Sequence, residues 1–265
     1  MISHERDTPE LAGTYDRVSD PQLEGGKHLV ERMGLNAGDR VLDIGCGTGR
    51  LAEWLAARIG PNVVGIDPLP ERVALARERA PALRFEVGRA EQLGAFPDES
   101  FDAVCLSAVF HWIDDKPRAL AEIARVLRGG GRVGLTTRAR ELQRQGTVAE
   151  VLASLLGRPP YRNPARPAQR IHRAATLTEI ATLLHQASLD LRELHVLQQR
   201  RWYPRGEDVV DFFESSTFGN FLTFVPEELR DRLRTELVSA LDARREPEGI
   251  LVRDHGVLIV AERRE

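Results

Sequence analysis

Cysteine is almost missing from this 265-residue sequence: Cys46, inside a glycine run, and Cys105, inside an apolar run, are the only two. Neither placement suits a zinc cluster or a disulfide framework, so a reducing compartment is expected. Lysine is equally scarce, with Lys27 and Lys116 alone among 37 basic residues, which reads as coding bias. Acidic and basic residues nearly cancel, to a net charge of -3, and are interspersed, so no stripe advertises a polyanion. No apolar run is long enough to span a bilayer, and the opening MISHERDTPEL lacks the apolar centre of a signal peptide. These absences point to a cytoplasmic protein with no membrane or nucleic-acid partner.

The stretch Val41 to Arg50, VLDIGCGTGR, organises the rest. Val41, Leu42 and Ile44 read as a buried parallel strand, and the glycines at 45, 47 and 49 break it into a tight turn. Leu51, Trp54, Leu55 and Ile59 then recur at helical spacing, so the helix that follows points its free amides back at the loop. Such a loop holds a ligand. Gly47 to Ala52 fits the G-x-G-x-x-A dinucleotide fingerprint, which keeps a nicotinamide or flavin cofactor open. Asp43 ahead of the glycines, however, suits a cationic ligand better than a pyrophosphate.

Strands and helices alternate from there. Val63 to Ile66 reads as a strand closed by Asp67, Glu71 to Ala80 as a helix ended by Pro81, and Leu83 to Val87 as a third strand. Phe101 to Val109 is a near-continuous apolar run, as a central strand covered on both faces requires. Pro117, Leu120, Ile123 and Leu127 mark the next helix, and the glycines at 129–131 deliver Arg132 to Thr137 as a fifth strand. Ahead of the first strand, Gln22 to Met33 reads as a helix, and the polar residues up to about 12 are expected to lack order. Past Arg138 the alternation breaks. Helices are expected at Thr147 to Leu156, Leu177 to Leu184 and Glu227 to about Arg244, a four-proline loop at 158–168, and strands at Leu191 to Tyr203 and Gly256 to Ala261.

Asp43-x-Gly45-x-Gly47-x-Gly49, with Asp67 ending the next strand, resembles the first two motifs of the class I S-adenosylmethionine-dependent methyltransferases. The string RVLRGGGRVGLTT is similar to the post-helix signature of that family, with Gly129 where a proline is common. The likeness covers about residues 15–137 and, loosely, the last strand. It implies a Rossmann-like, doubly wound, mostly parallel seven-stranded α/β sheet with helices on both faces and a helical, aromatic-rich insertion. It also implies S-adenosyl-L-methionine as cofactor, held by Asp43, Gly45, Cys46, Gly47, Asp67, Pro68, Ala90, Glu91 and Ser107, with Tyr15 closing over it from the leader. In similar proteins an acid follows the glycine at the end of the third strand; here Gly88 is followed by Arg89, which would stack on a ring or point outward while Ala90 or Glu91 meets the adenine.

The implied layout is a leader and cofactor-binding core at 1–137, lid loop and helices at 138–190, and final strands at 191–265 enclosing cap helices at about 204–250. Ser107, His111 and Trp112 follow the central strand, where ligands of open parallel sheets sit. His111 is the candidate base, since its ordinary pKa near 6.5 suits proton removal at neutral pH; alternatively it and Trp112 only wall the pocket. Tyr161, Trp202 and Phe213 are candidates for contact with the acceptor, against the alternative of ordinary core packing. The expected reaction is methyl transfer to an oxygen or nitrogen of a small, largely apolar metabolite, by a monomer or homodimer. Transfer to a nucleic acid or protein would require Arg89, Arg158, Arg162, Arg166, Arg170 and Arg173 to converge, and a non-catalytic binder of S-adenosylmethionine or NAD is the remaining alternative.

Overall fold

The computed structural model describes residues 7–142, 146–162, 174–218 and 221–265. Its helices are α1 Pro9–Val18, α2 Asp20–Met33, α3 Arg50–Ile59, α4 Pro70–Arg79, α5 Lys116–Val126, α6 Thr147–Leu156, α7 Leu177–Gln186, α8 Gly206–Ser216 and α9 Glu227–Asp242. The strands are β1 Val41–Ile44, β2 Val63–Asp67, β3 Arg84–Val87, β4 Phe101–Ser107, β5 Leu127–Thr137, β6 Leu189–Tyr203 and β7 Ile250–Arg263. They form one seven-stranded sheet in the order β3-β2-β1-β4-β5-β7-β6. The pairs β1–β2, β1–β4, β2–β3 and β4–β5 are parallel, and β5–β7 is antiparallel. Order reverses between β1 and β4, so the carboxyl ends of those two strands are where a doubly wound sheet places its ligand.

The chain divides into two compact units. The sheet unit comprises Asp20–Arg140, Gly256–Glu265 and the described part of Arg173–Leu197. Its core on one face joins Leu29 and Met33 of α2, Leu51, Leu55 and Ile59 of α3, and Val73 and Ala76 of α4 to Val41, Val63 and Cys105 of the strands. All four β1 side chains are buried, which explains why this strand reads as an unbroken apolar run around Asp43. Helix α5 is started by Asp115, whose carboxylate accepts from the Arg118 amide at 3.1 Å. A capping box starts α7: Thr176 accepts from the Glu179 amide at 3.1 Å and Glu179 from the Thr176 amide at 2.7 Å.

The helical unit gathers the described parts of Met1–Ser19, Glu141–His172 and Gln198–His255. Its own core packs Val148, Val151 and Leu155 of α6 with Val209, Val210 and Phe212 of α8 and Leu233, Leu237 and Leu241 of α9. The leader up to Ser19 groups with the helical residues, and α7 and the first part of β6 group with the sheet.

Several local expectations are corrected. Residues 9–12, expected to lack order, begin α1, because Thr8 caps it by accepting from the Leu11 amide at 3.2 Å and the helix packs on α8. Strand β4 stops at Ser107 and not Val109, since Ala108 turns to a φ of 59° and its amide donates to the Thr136 carbonyl and hydroxyl. Strand β5 starts at Leu127, five residues early, with a register shift opposite Phe101 and Ala103 that absorbs the glycine run. The last strand extends from Ile250 to Arg263. Within the expected proline loop, residues 163–168 lie outside the described residues, as do Gly219 and Asn220 of the aromatic run.

Candidate active site

The glycine loop between β1 and α3 is built by backbone constraint. Gly45, Gly47 and Gly49 all have positive φ, at 72°, 53° and 80°. At Gly45 a Cβ would lie 2.2 Å from Val109 Cγ2, so a side chain is excluded by space as well as by conformation. The Gly45 and Cys46 amides donate to the Ile66 carbonyl at 2.7 and 3.0 Å, locking the loop to β2. Gly49, in the left-handed conformation, stands at the N-cap of α3 and offers no side-chain cap.

Two carboxylates flank this loop. Asp67 ends β2 and accepts from the Gly47 amide at 2.9 Å through Oδ2 and from the Leu69 amide at 2.9 Å through Oδ1. It therefore fixes the loop and the start of α4 together, with Pro68 half-buried between them. Asp43, 1% exposed, keeps its Oδ2 buried without a hydrogen-bond partner. Burial first, and the Asp67 charge second, push its carboxyl up to about 7. The loop cysteine is sealed in: the Cys46 thiol donates to the Gly47 carbonyl at 3.8 Å, and burial pushes its pKa well up, which makes it a poor nucleophile.

Beyond β3, Ala90 and Glu91 are buried. Glu91 accepts from the Asp114 amide at 3.3 Å, and its carbonyl accepts from Arg118 Nε at 2.9 Å. The Arg89 guanidinium lies 3.6 Å from Glu91 and 3.8 Å from Asp114. Of the other arginines whose convergence would favour a polyanion, Arg158 donates to the Ser154 carbonyl at 3.2 Å, and Arg166, Arg170 and Arg173 lie outside the described residues.

At the carboxyl end of β4, Ser107 donates to the Gln22 carbonyl at 3.5 Å. A single helical turn, Phe110–Trp112, then carries His111, which is 4% exposed. Its Nδ1 lies 3.3 Å from Thr137 Oγ1 at the end of β5, and its ring sits 4.9 Å from that of Trp112. Lys116 secures the segment after it, donating to the Ile113 carbonyl at 2.7 Å with its ammonium 5.5 Å from the Phe110 ring. The sheet unit thus brings Asp43, the loop, Asp67, Ser107 and His111 to the carboxyl ends of β1, β2 and β4. Sequence reasoning missed Thr137 and Gln22, which carry no motif; only strand register and helix packing single them out.

Tyr15, Tyr161, Trp202 and Phe213 belong to the helical unit. Tyr15 is half-buried in α1, and Tyr161 is 2% exposed within the apolar core. Phe213 stacks on Phe221 at 5.3 Å, while Trp202 is 43% exposed. Among the described residues no group of histidine, cysteine and acidic side chains could hold a metal ion, and no helix is long and apolar enough to cross a membrane.

The residues present fit a cationic, ribose-bearing cofactor. Asp43 offers a buried acceptor oxygen without a hydrogen-bond partner, and Asp67 is preorganised by two amides. A family model described as a methyltransferase domain matches residues 42–135, which contain all of these elements except α2 and Thr137. An uncharacterized methyltransferase of Mycobacterium tuberculosis is 43% identical over 122 residues, 46% of this chain and 48% of its own length, so the chain spans about half of that relative. A ubiquinone biosynthesis O-methyltransferase of Xanthomonas oryzae is 32% identical over 197 residues, covering 71% of this chain and 76% of its own. Among solved structures, the YcgJ protein of Bacillus subtilis superposes with a TM-score of 0.63 at 24% identity, over 91% of this chain and 99% of its own, a likeness of fold.

Proposed function

Because the chain belongs to the class I S-adenosylmethionine-dependent methyltransferases, we propose that it methylates an oxygen or nitrogen nucleophile of a small, largely apolar metabolite, with His111 as general base. Asp43, the 45–47 loop, Asp67, Pro68, Ala90, Glu91 and Ser107 hold the cofactor in this reading. What S-adenosylmethionine supplies when bound is a methyl group already activated by a positive sulfur. The protein's work is then to position the acceptor, exclude water and take away a proton where the nucleophile carries one.

The observation that carries the choice of nucleophile is the pairing of His111 with Thr137. The Thr137 hydroxyl lies 3.4 Å from the Arg138 carbonyl and 3.3 Å from His111 Nδ1, and this reading takes the hydroxyl to donate to the carbonyl while its oxygen accepts from Nδ1–H. Nε2 is then the basic nitrogen of the ring, suited to an acceptor O–H or N–H and superfluous for a carboxylate or thiolate. The O-methyltransferase relative is in keeping with this. His111→Gln should lower kcat by about 10²- to 10⁴-fold, with cofactor affinity unchanged. The check is turnover of a phenol, alcohol, amine, carboxylate and thiol panel, followed as S-adenosylhomocysteine release. Equal turnover by the variant on a hydroxyl or amine acceptor would reduce His111 to a pocket wall.

A further inference from the structure

Ala108, the residue after β4, turns left-handed at a φ of 59°. An L side chain takes that conformation only at a cost, so it persists where its surroundings hold it, and such positions gather at functional sites. What holds Ala108 is Thr136. β4 and β5 run parallel with Ser107 opposite Thr136 as their last pair. The Ala108 amide, one residue on, donates to the Thr136 carbonyl at 3.0 Å and to the Thr136 hydroxyl oxygen at 2.8 Å. The carbonyl bond needs no particular side chain at 136; the hydroxyl bond does. Thr136 is a half-buried strand position that a β-branched apolar residue would fit as well, so its hydroxyl is the feature to explain.

The turn at Ala108 decides where the next side chains go. Val109 comes to fill the space that the missing Gly45 side chain leaves, its Cγ2 2.2 Å from where that Cβ would stand. The Trp112 amide donates to the Val109 carbonyl at 2.8 Å and closes the single turn Phe110–Trp112. Phe110 is then fully buried, and His111 Nδ1 lies 3.3 Å from Thr137 Oγ1. Two consecutive threonines at the end of β5 thus serve one segment: Thr136 holds its backbone and Thr137 meets its imidazole ring. We infer that Thr136 is a positioning residue for the methyl transfer, its hydroxyl latching the left-handed turn at Ala108 and so aiming His111 at the acceptor's proton. The inference rests on the reading of His111 as base and deepens it with a residue that acts only through that histidine.

Thr136→Val tests it, because valine keeps the shape and β-branching and leaves the Ala108 amide bonded to the carbonyl, so no buried donor is orphaned and the fold is kept. Imidazole ¹H–¹⁵N spectra of the full chain, with and without S-adenosylhomocysteine, read the aim directly, the His111 signals being those missing from His111→Gln. In Thr136→Val these signals should shift or broaden, and Thr136→Ser should restore them. Turnover of the phenol, alcohol and amine panel by Thr136→Val should lose roughly 10- to 10²-fold in kcat, with KM and cofactor affinity within about twofold of the wild type. Adding Ala108→Gly should recover most of that loss, since glycine takes the turn without a latch. In the His111→Gln background, Thr136→Val should change turnover by less than about twofold, because the group it aims is gone. Undisturbed His111 signals in Thr136→Val, or an equal loss of turnover with and without His111, would overturn the inference. Wild-type turnover by His111→Gln alone would instead remove the base reading, and the spectra would still decide whether Thr136 holds the ring. Should Thr136→Val not fold, Thr136→Ala takes its place in each comparison.

Discussion

Asp67 does two things with one carboxylate. By accepting from the Gly47 and Leu69 amides it shapes the loop, and in the proposed function it also meets the ribose hydroxyls of the cofactor. Asp67→Ala should therefore weaken cofactor binding by about 1.5–3 kcal/mol, the scale of hydrogen bonds to a charged group, measured by calorimetric titration. Unchanged affinity would remove Asp67 from the site. Asp67 and His111 stood out in the sequence because each follows an apolar run at the sheet's carboxyl edge, and Asp43 because it interrupts one just ahead of the glycines. Gln22 was not legible. In the sequence it is one polar residue on an amphipathic helix, and what distinguishes it is an unpartnered amide oxygen that exists only once α2 packs over Ser107.

At the scale of elements, β1, β2 and β4 announced themselves because strands buried on both faces must be almost continuously apolar, and the glycines and prolines between them punctuate the pattern. Helix α1 did not. Its polar sequence holds together through the Thr8 cap and contact with α8, two hundred residues away in the chain and invisible to a local reading. The glycine loop is an element held by sterics, which gives a sharp prediction. Gly45→Ala would place a methyl group at a φ of 72° against Val109, and the left-handed conformation alone costs about 1–2 kcal/mol. Thermal unfolding should shift down accordingly, and adding Val109→Ala should recover the steric part and not the conformational part. For α7, Thr176→Ala removes the capping box and should cost about 0.5–2 kcal/mol in denaturant unfolding with cofactor affinity untouched.

For the whole molecule, two carboxylates set opposite limbs of stability against pH. Asp43 titrates higher folded than unfolded, so its contribution is complete below about pH 4 and is lost as pH rises through about 7. Asp102, held far below the ordinary carboxylate range by hydrogen bonds from Arg40 and Arg128, contributes above about pH 4 and loses that contribution on further acidification. The cofactor-free protein should thus be most stable in mildly acidic solution. Asp43→Asn should flatten the loss toward neutral pH, and saturating S-adenosylmethionine should move the optimum upward. Scanning calorimetry across pH, with and without the cofactor, reads all three; a wild-type optimum already at pH 8 without cofactor would contradict the Asp43 limb.

Strands β6 and β7 are sheet neighbours, and each passes from one compact unit into the other along its own length. Everything between Tyr203 and Ile250 therefore leaves and returns at adjacent positions, so its two ends are already brought together by strand pairing. Closing such an excursion costs only about 0.6 kcal/mol more for each doubling of its length. The length of this excursion could change at that small entropic expense wherever the core contacts of α8 and α9 are kept, with the glycine-loop motifs from Asp43 to Thr137 left on a segment of chain the change never touches.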